Sequence, residues 1–393
     1  TAIGHGAWRM AKIQTQSGAH SVNTYTKSQR PALSYLLQQK GFLFLILIFF
    51  LHLITFFYTD SVNYGYFGEK ITLNLTFLVL PLSFAILPAI KKRQYYLLLY
   101  FFFLLMALTS LGTFINYLFD FTFINESYLR SKVMPTLVNH VRYSLMAAFA
   151  IFVGVFLYAE SKGQRVERYA LSAMLLTLFI FLHFLAVRSG LVAFYALAFS
   201  YTLFYMIKKK AFKHCFIIFF ILLSFPIVSY FAIPTFQNKF QNTVTDLAKI
   251  ENKLTISNYS VSSRIVSYKA AFELVKKKPL AGTGLGNLKR EMAKIYIEKF
   301  PYVKKHKRLM PHNQYLRYLV GFGIIGLSIF LFSFYYPLIY QHNYKNLILL
   351  THYLVISISF LFEGTLNTQL GLNFTLIFIL IPLSYLKNDN DYQ

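Results

Sequence analysis

The chain has 393 residues, of which 56% are hydrophobic, 19% are aromatic and only 13% are charged, and its formal net charge is +25. About a quarter of the residues of a soluble globular domain are charged, so this composition excludes an ordinary soluble protein. Apolar residues occur in blocks of about 20, the length that an α-helix needs to cross a bilayer. The single cysteine, Cys215, excludes an intrachain disulfide and a cysteine-based metal site. The sequence therefore predicts an all-α protein with several transmembrane helices.

Ten apolar segments follow a polar N-terminal tail of residues 1–40. We predict seven spans within residues 41–233, a large loop at 234–313, three further spans within 314–386, and a short tail at 387–393. The predicted spans, in chain order, are 41–58, 71–90, 94–118, 141–159, 169–187, 190–207, 214–233, 314–339, 347–362 and 371–386.

The basic residues of the short loops predict how the spans are oriented. Alternate loops on one side, one of which contains Lys162, hold eleven Lys or Arg residues, whereas the opposite short loops hold four. Because cytoplasmic loops carry the excess of basic residues, both termini are predicted to be cytoplasmic. The positive net charge then reflects anchoring and attraction to anionic membrane lipids. We therefore expect no nucleic acid partner.

The large loop is predicted to be external and is strongly basic. Residues 234–311 contain sixteen Lys or Arg against five Asp or Glu. Two interpretations remain open: attraction to anionic lipid headgroups, or a site for an anionic substrate such as a diphosphate. Within the loop, residues 263–277 are predicted to form an amphipathic helix that Pro279 ends. Its predicted apolar stripe consists of Ile265, Tyr268, Phe272 and Val275.

Two motifs follow this helix. Residues 281–287 read Ala-Gly-Thr-Gly-Leu-Gly-Asn, but no strand precedes them as it does in phosphate-binding loops, so we favour a tight turn that seats the loop helix against the membrane domain. Residues 311–316 read Pro-His-Asn-Gln-Tyr-Leu and open the eighth span. His312 could act there as a general base or simply cap the helix. Three glycines within the same span are predicted to let another helix approach closely: Gly321, Gly323 and Gly326.

Taken in order, these segments resemble the O-antigen ligase/polymerase family of bacterial glycan transferases, the Wzy-C type. The resemblance rests on Ser263-Arg264 at the start of the loop helix, the turn from Pro279 to Gly286, and His312-Asn-Gln-Tyr-Leu ahead of Gly323-Ile-Ile-Gly326. Weaker similarity covers residues 139–144, Arg188-Ser-Gly190 and residues 363–369. The family often has a tryptophan where this chain has Tyr268.

The resemblance implies transfer of a glycan from undecaprenyl diphosphate without a metal or another cofactor. It implies that Arg188 and Arg264 hold the diphosphate and that His312 is the essential catalytic histidine. Guanidinium groups suit this role because they stabilise the negative charge of a departing diphosphate through paired hydrogen bonds. The further residues that we predict to bind substrate are His140, Arg142, Arg290, Asn313 and Glu363.

The acceptor remains open among three alternatives. We favour the core sugar of lipid A, which would make the protein an O-antigen ligase of the bacterial inner membrane with its active site facing the periplasm. A polymerase would use another lipid-linked repeat unit, and a protein O-oligosaccharyltransferase would use a protein hydroxyl. A transporter of the same lipid is a candidate from a different class. It would bind its substrate through broken helices or internal repeats, and the sequence shows neither clearly.

Overall fold

A computed structural model describes residues 38–161, 165–251 and 260–390 of the chain. These residues form α-helices and short 3-10 helices, with no strand among them. Nearly all of the predicted N-terminal tail, Lys162 and the last residues of the C-terminal tail lie outside the described ranges. The α-helices, numbered in chain order, are α1 (Lys40–Ile54), α2 (Tyr64–Asn74), α3 (Thr76–Ile86), α4 (Lys92–Phe119), α5 (Phe121–Leu129), α6 (His140–Glu160), α7 (Arg165–Leu185), α8 (Arg188–Lys209), α9 (Phe212–Ala232), α10 (Pro234–Glu251), α11 (Ser260–Lys277), α12 (Leu288–Lys299), α13 (Gln314–Ile339), α14 (Leu347–Phe362) and α15 (Gln369–Asn390).

Most of these helices are long and apolar enough to cross a membrane. Nine helical segments of the described residues meet that requirement, and α14 is a shorter apolar helix of the same character. Together they overlap the ten spans predicted from the sequence. The polytopic all-helical fold is therefore confirmed. The three remaining longer helices, α10, α11 and α12, all belong to the basic segment between α9 and α13.

Helix α6 is the centre of the bundle and packs against α4, α7, α8 and α14. Two glycines permit these close contacts. A Cβ at Gly154 of α6 would overlap the ring of Phe103 on α4. A Cβ at Gly190 of α8 would lie 2.6 Å from the carbonyl oxygen of Ser144 on α6. The second contact holds the first turns of α6 and α8 side by side.

Helix α13 is broken at Gly323, whose φ of 66° and ψ of −170° are not helical. The loop after α11 fills the break. The backbone N–H groups of Thr283 and Gly284 donate to the carbonyls of Val320 and Gly321 at 2.9 and 2.8 Å, and that of Ile324 donates to Pro279 at 2.8 Å. These bonds satisfy backbone groups that a break within an apolar helix would otherwise leave unpaired.

The break corrects one expectation about the glycines. Gly323 faces the backbone of Leu280 and Ala281, so it admits the glycine loop rather than another helix. A Cβ at Gly282, which has a φ of +69°, would lie 2.5 Å from the backbone of Gly321. The favoured interpretation of the glycine run as a turn that seats the loop helix agrees with these contacts. The sequence did not reveal that α13 is broken, and the loop after α11 fills the break.

Helix α11 extends from Ser260 to Lys277 and ends before Pro279, as predicted. The predicted apolar stripe is wrong at Phe272, which is 53% exposed. The buried face consists of smaller residues at helical spacing: Ser263, Ser267, Ala270, Ala271 and Leu274. Small side chains let α11 lie close to α12 and α13, and the large ones at Tyr268 and Val275 pack only at the margin of this contact.

Candidate active site

A polar cavity of about 190 Å³ lies where α6 and α8 begin. Residues of α6, α8, α10 and α11 line it, together with the segments before α6 and after α14. Helix α10 reaches this position because it is tied to the bundle. Thr235 donates to the carbonyl of Phe184 at 2.6 Å, and Asn242 donates to the carbonyl of Tyr128 at 2.7 Å. The ionisable side chains that line the cavity are His140, Arg188, Lys239, Asp246, Arg264 and Glu363.

Glu363, which is 3% exposed, is the centre of the charged network. Its Oε1 accepts a hydrogen bond from Nη2 of Arg264 at 2.6 Å, and its Oε2 lies 3.4 Å from Nδ1 of His312 and 3.8 Å from Nη1 of Arg142. Burial alone would raise the pKa of this carboxyl group. The hydrogen bond with His312 and the positive charges of Arg264 and Arg142 outweigh burial, so the pKa of Glu363 lies below its usual value. Glu363 is therefore an anion that links residues of α6 and α11 with the segment that precedes α13.

His312 contacts Glu363 without lining the cavity itself, and its side chain is 36% exposed. Its position is fixed from two directions. Nδ1 faces Glu363, and the hydroxyl of Tyr268 donates to the backbone carbonyl of His312 at 2.8 Å. With Nδ1 directed at a carboxylate, Nε2 is the nitrogen available as a proton acceptor. Tyr268, at the position where the family often has tryptophan, thus supports the histidine.

The two arginines predicted to hold a diphosphate both line the cavity. Arg188 is the first residue of α8, and the buried carboxylate of Asp246 interacts with it electrostatically. Arg264 lies in the second turn of α11 and reaches Glu363. The guanidinium groups of Arg188 and Arg264 therefore lie in one cavity, although the two residues are 76 positions apart in the sequence.

The other predicted substrate-binding residues fall into three groups. His140 lines the cavity. Arg142 and Asn313 hold the segment around Glu363: Nη2 of Arg142 donates to the carbonyl of Gly364 at 3.2 Å, and Nδ2 of Asn313 donates to the carbonyl of Leu361 at 3.0 Å. The side-chain oxygen of Asn313 also caps α13. Arg290 lies apart from this group and pairs with Asp60 and Glu291 instead.

Two ionisable residues of the cavity, Lys239 and Asp246, were missed by sequence reasoning. Burial and repulsion from Arg188 and Arg264 lower the pKa of Lys239 to about 8. A signal was present in the sequence. The polar residues Lys239, Asn242, Thr243 and Asp246 recur at spacings of three and four, which places them on one face of α10.

A model of the O-antigen ligase family, Wzy-C, matches residues 171–331. This part of the chain is therefore similar to the O-antigen ligase family. The match includes Arg188, Arg264 and His312, whereas Glu363, which joins two of them, lies beyond its end. No curated protein matches the chain significantly.

The charges that line the cavity are suited to an anion. Among the described residues, no three His, Cys, Asp or Glu side chains are grouped so that they could hold a metal. Arg188, Lys239 and Arg264 instead direct cationic groups into one polar space. Cationic side chains that are fixed before the ligand arrives stabilise negative charge without reorganisation.

Proposed function

We propose that this protein is an O-antigen ligase, which transfers a glycan from undecaprenyl diphosphate to a hydroxyl acceptor at the periplasmic face of the inner membrane. The observation that carries the proposal is the common cavity of Arg188 and Arg264, joined through Glu363 to His312. The concentration of basic residues in the predicted cytoplasmic loops supports the periplasmic orientation.

In this proposal the diphosphate of the donor occupies the cavity. Each phosphate of the donor carries one negative charge, and a guanidinium group can offer two parallel N–H donors to phosphate oxygens. The polyprenyl chain would remain in the bilayer, since the cavity lies at the end of two apolar helices, α6 and α8. The glycan would then project away from the membrane.

In the proposed transfer step, every bond, electron pair and proton is accounted for without a metal ion. The acceptor oxygen forms a bond to the anomeric carbon from the face opposite the diphosphate, and the bond between that carbon and the phosphate oxygen breaks. The electron pair remains on undecaprenyl diphosphate, where Arg188 and Arg264 stabilise the charge. Nε2 of His312 takes the acceptor proton, and Glu363 stabilises the resulting imidazolium through Nδ1. This displacement inverts the anomeric configuration.

The proposed acceptor is a core sugar of lipid A, which makes the reaction a step of lipopolysaccharide biosynthesis. A polymerase acting on a second lipid-linked repeat unit, or a transferase acting on a protein hydroxyl, would use the same cavity and the same histidine. Deletion in the native host separates these alternatives. Loss of long-chain lipopolysaccharide with retained lipid-linked polymer indicates the ligase, and accumulation of single-repeat species indicates the polymerase.

The chemistry is tested with purified protein, a lipid-linked glycan donor and lipid A-core acceptor. We expect His312→Ala to retain donor binding and to lose transfer. We expect Arg264→Ala to lose donor binding as well. Arg308→Ala is the matched control, because Arg308 belongs to the same basic segment but contacts the carbonyl of Val303 rather than the cavity. Transfer at the wild-type rate by folded His312→Ala or Arg264→Ala protein would refute the mechanism.

A further inference from the structure

One cation of the cavity, Lys239, has no carboxylate ion-pair partner among the described residues. Arg264 is hydrogen-bonded to Glu363, and Arg188 interacts with the charge of Asp246. The two arginines of the cavity repel Lys239.

The partial burial of Lys239 makes its charge costly before the donor binds. The residue is partly buried and lines the cavity from α10. Removal of an ammonium group from water is unfavourable unless a counter-ion or hydrogen-bond acceptors replace the water. Burial and the repulsion from Arg188 and Arg264 accordingly lower the pKa of Lys239. An anion that entered the cavity would offset both the cost of burying the ammonium group and its repulsion from Arg188 and Arg264.

The charges of the group suit a diphosphate. Arg142, Arg188, Lys239 and Arg264 face the carboxylates of Asp246 and Glu363, an excess of two positive charges when both histidines are neutral. A diphosphate that joins a polyprenyl chain to a sugar carries one negative charge on each phosphate. Without the ammonium group of Lys239, the cavity would neutralise only one of these charges.

We propose that Lys239 is a third cationic ligand of the donor diphosphate, and that the bound diphosphate is the counter-ion of its ammonium group. This inference rests on the proposed function and adds to it a residue outside the motifs of the resemblance. It also predicts coupling between donor binding and proton uptake. Above about pH 8, the free protein increasingly holds Lys239 uncharged, so binding must first restore its proton.

The other charged groups that face Lys239 define the pH range in which the coupling between donor binding and proton uptake is measured. They are His140 on α6, Arg188 on α8, Asp246 on α10, Arg264 on α11 and Glu363 after α14. Arginines stay charged, carboxylates stay ionised and an ordinary histidine stays neutral between about pH 7.5 and about pH 9.5. Within that range Lys239 is the cavity group whose charge changes.

The test measures binding of undecaprenyl diphosphate to the purified full-length protein as a function of pH. We expect Lys239→Met to weaken binding about ten- to a hundredfold at neutral pH, the effect of losing one charge-assisted contact. Lys239→Arg should retain most of the affinity. Wild-type affinity should fall as the pH rises above about 8, whereas that of Lys239→Arg should stay level, because arginine keeps its proton.

A stability measurement separates this role from a structural one. Ligand-free Lys239→Met should melt at a higher temperature than wild type at neutral pH, because the substitution removes a partly buried cation that Arg188 and Arg264 repel. The sign follows from the lowered pKa: the charged form destabilises the folded protein below about pH 8, and the penalty fades as the pH rises from there toward the ordinary lysine value. Lys276→Met is the matched control, at a residue whose side chain is 74% exposed. It should change neither the melting temperature nor the affinity for undecaprenyl diphosphate.

Three results would overturn the inference. Wild-type binding by Lys239→Met, when Arg264→Ala binds poorly, would remove Lys239 from the site and leave the proposed function intact. A lowered melting temperature of Lys239→Met would show that the lysine is structural. Failure of the wild-type protein itself to bind undecaprenyl diphosphate would refute both this inference and the proposed function.

Discussion

Substitution of Glu363 by Gln should separate donor binding from catalysis. The amide keeps the size and one carbonyl oxygen of the carboxylate but removes its charge. In the wild-type protein that charge faces Arg264 at 2.6 Å, His312 at 3.4 Å and Arg142 at 3.8 Å. The loss of one negative charge should therefore leave the arginines more available to the diphosphate. It should also deprive the imidazolium of His312 of its stabilising partner.

The expected losses of transfer rate and of stability in Glu363→Gln follow from the burial of Glu363 and from its distances to its partners. A hydrogen bond to a charged group contributes about 1.5–3 kcal/mol, which corresponds to a loss of about ten- to a hundredfold in the rate of transfer. The side chain of Arg142 is 10% exposed and that of Glu363 is 4% exposed. Removal of one partner from a buried ion pair costs about 3–5 kcal/mol of stability.

The stability difference between Glu363→Gln and wild type should depend on pH. Because the folded protein lowers the pKa of Glu363, its carboxylate stabilises the fold above the ordinary glutamate pKa. That contribution disappears as the pH falls through the lower pKa of the folded state. The two proteins should therefore differ most at neutral pH and converge in acid.

The assay uses purified protein with lipid-linked glycan and acceptor, and it records donor affinity, single-turnover transfer and thermal unfolding. We expect donor affinity of Glu363→Gln to equal or exceed that of wild type, while single-turnover transfer falls by about ten- to a hundredfold. Transfer at the wild-type rate would refute the role of Glu363 as the partner of His312. Normal transfer with weakened donor binding would instead assign Glu363 directly to the substrate.

Four further predictions concern the arginines, the orientation, the metal and the broken helix. Arg188→Lys and Arg264→Lys should each lose at least about tenfold in transfer, because an ammonium group cannot replace the paired donors of a guanidinium group; full activity of either would contradict this. A cysteine at Lys304 in a Cys215→Ala background should react with a membrane-impermeant thiol reagent in spheroplasts, and reaction only after lysis would reverse the topology. The same labelling was predicted for Lys253, which lies outside the described residues. Transfer should persist in excess EDTA; its loss and recovery with magnesium would require a metal. Gly323→Ala should lower the melting temperature, since its Cβ would overlap the carbonyl of Leu280 at a positive φ.

The candidate site was partly predictable because some of its residues occur in compact sequence motifs. Arg264 and His312 lie within the segments that carry the family resemblance, and Arg188 begins a short Arg-Ser-Gly motif. Lys239 and Asp246 lie in no motif, and only their spacing on one face of α10 indicated a shared environment. Asn313 was predicted to bind substrate, but its contacts cap α13 and hold Leu361. Local sequence does not distinguish a cap from a ligand, because both need the same polar atoms.

The sequence by itself determined the all-helical membrane fold, since blocks of apolar residues as long as the bilayer is thick can satisfy their backbone hydrogen bonds only as helices. It also determined where α11 ends, ahead of Pro279. Tertiary structure alone decided which face of α11 is buried, where close approach to α12 and α13 favours Ala270 and Ala271 over Phe272. It also decided that Glu363 joins Arg142, Arg264 and His312. These partners are distant in the chain, and their contacts depend on the packing of α6, α11, α13 and α14, which no local pattern encodes.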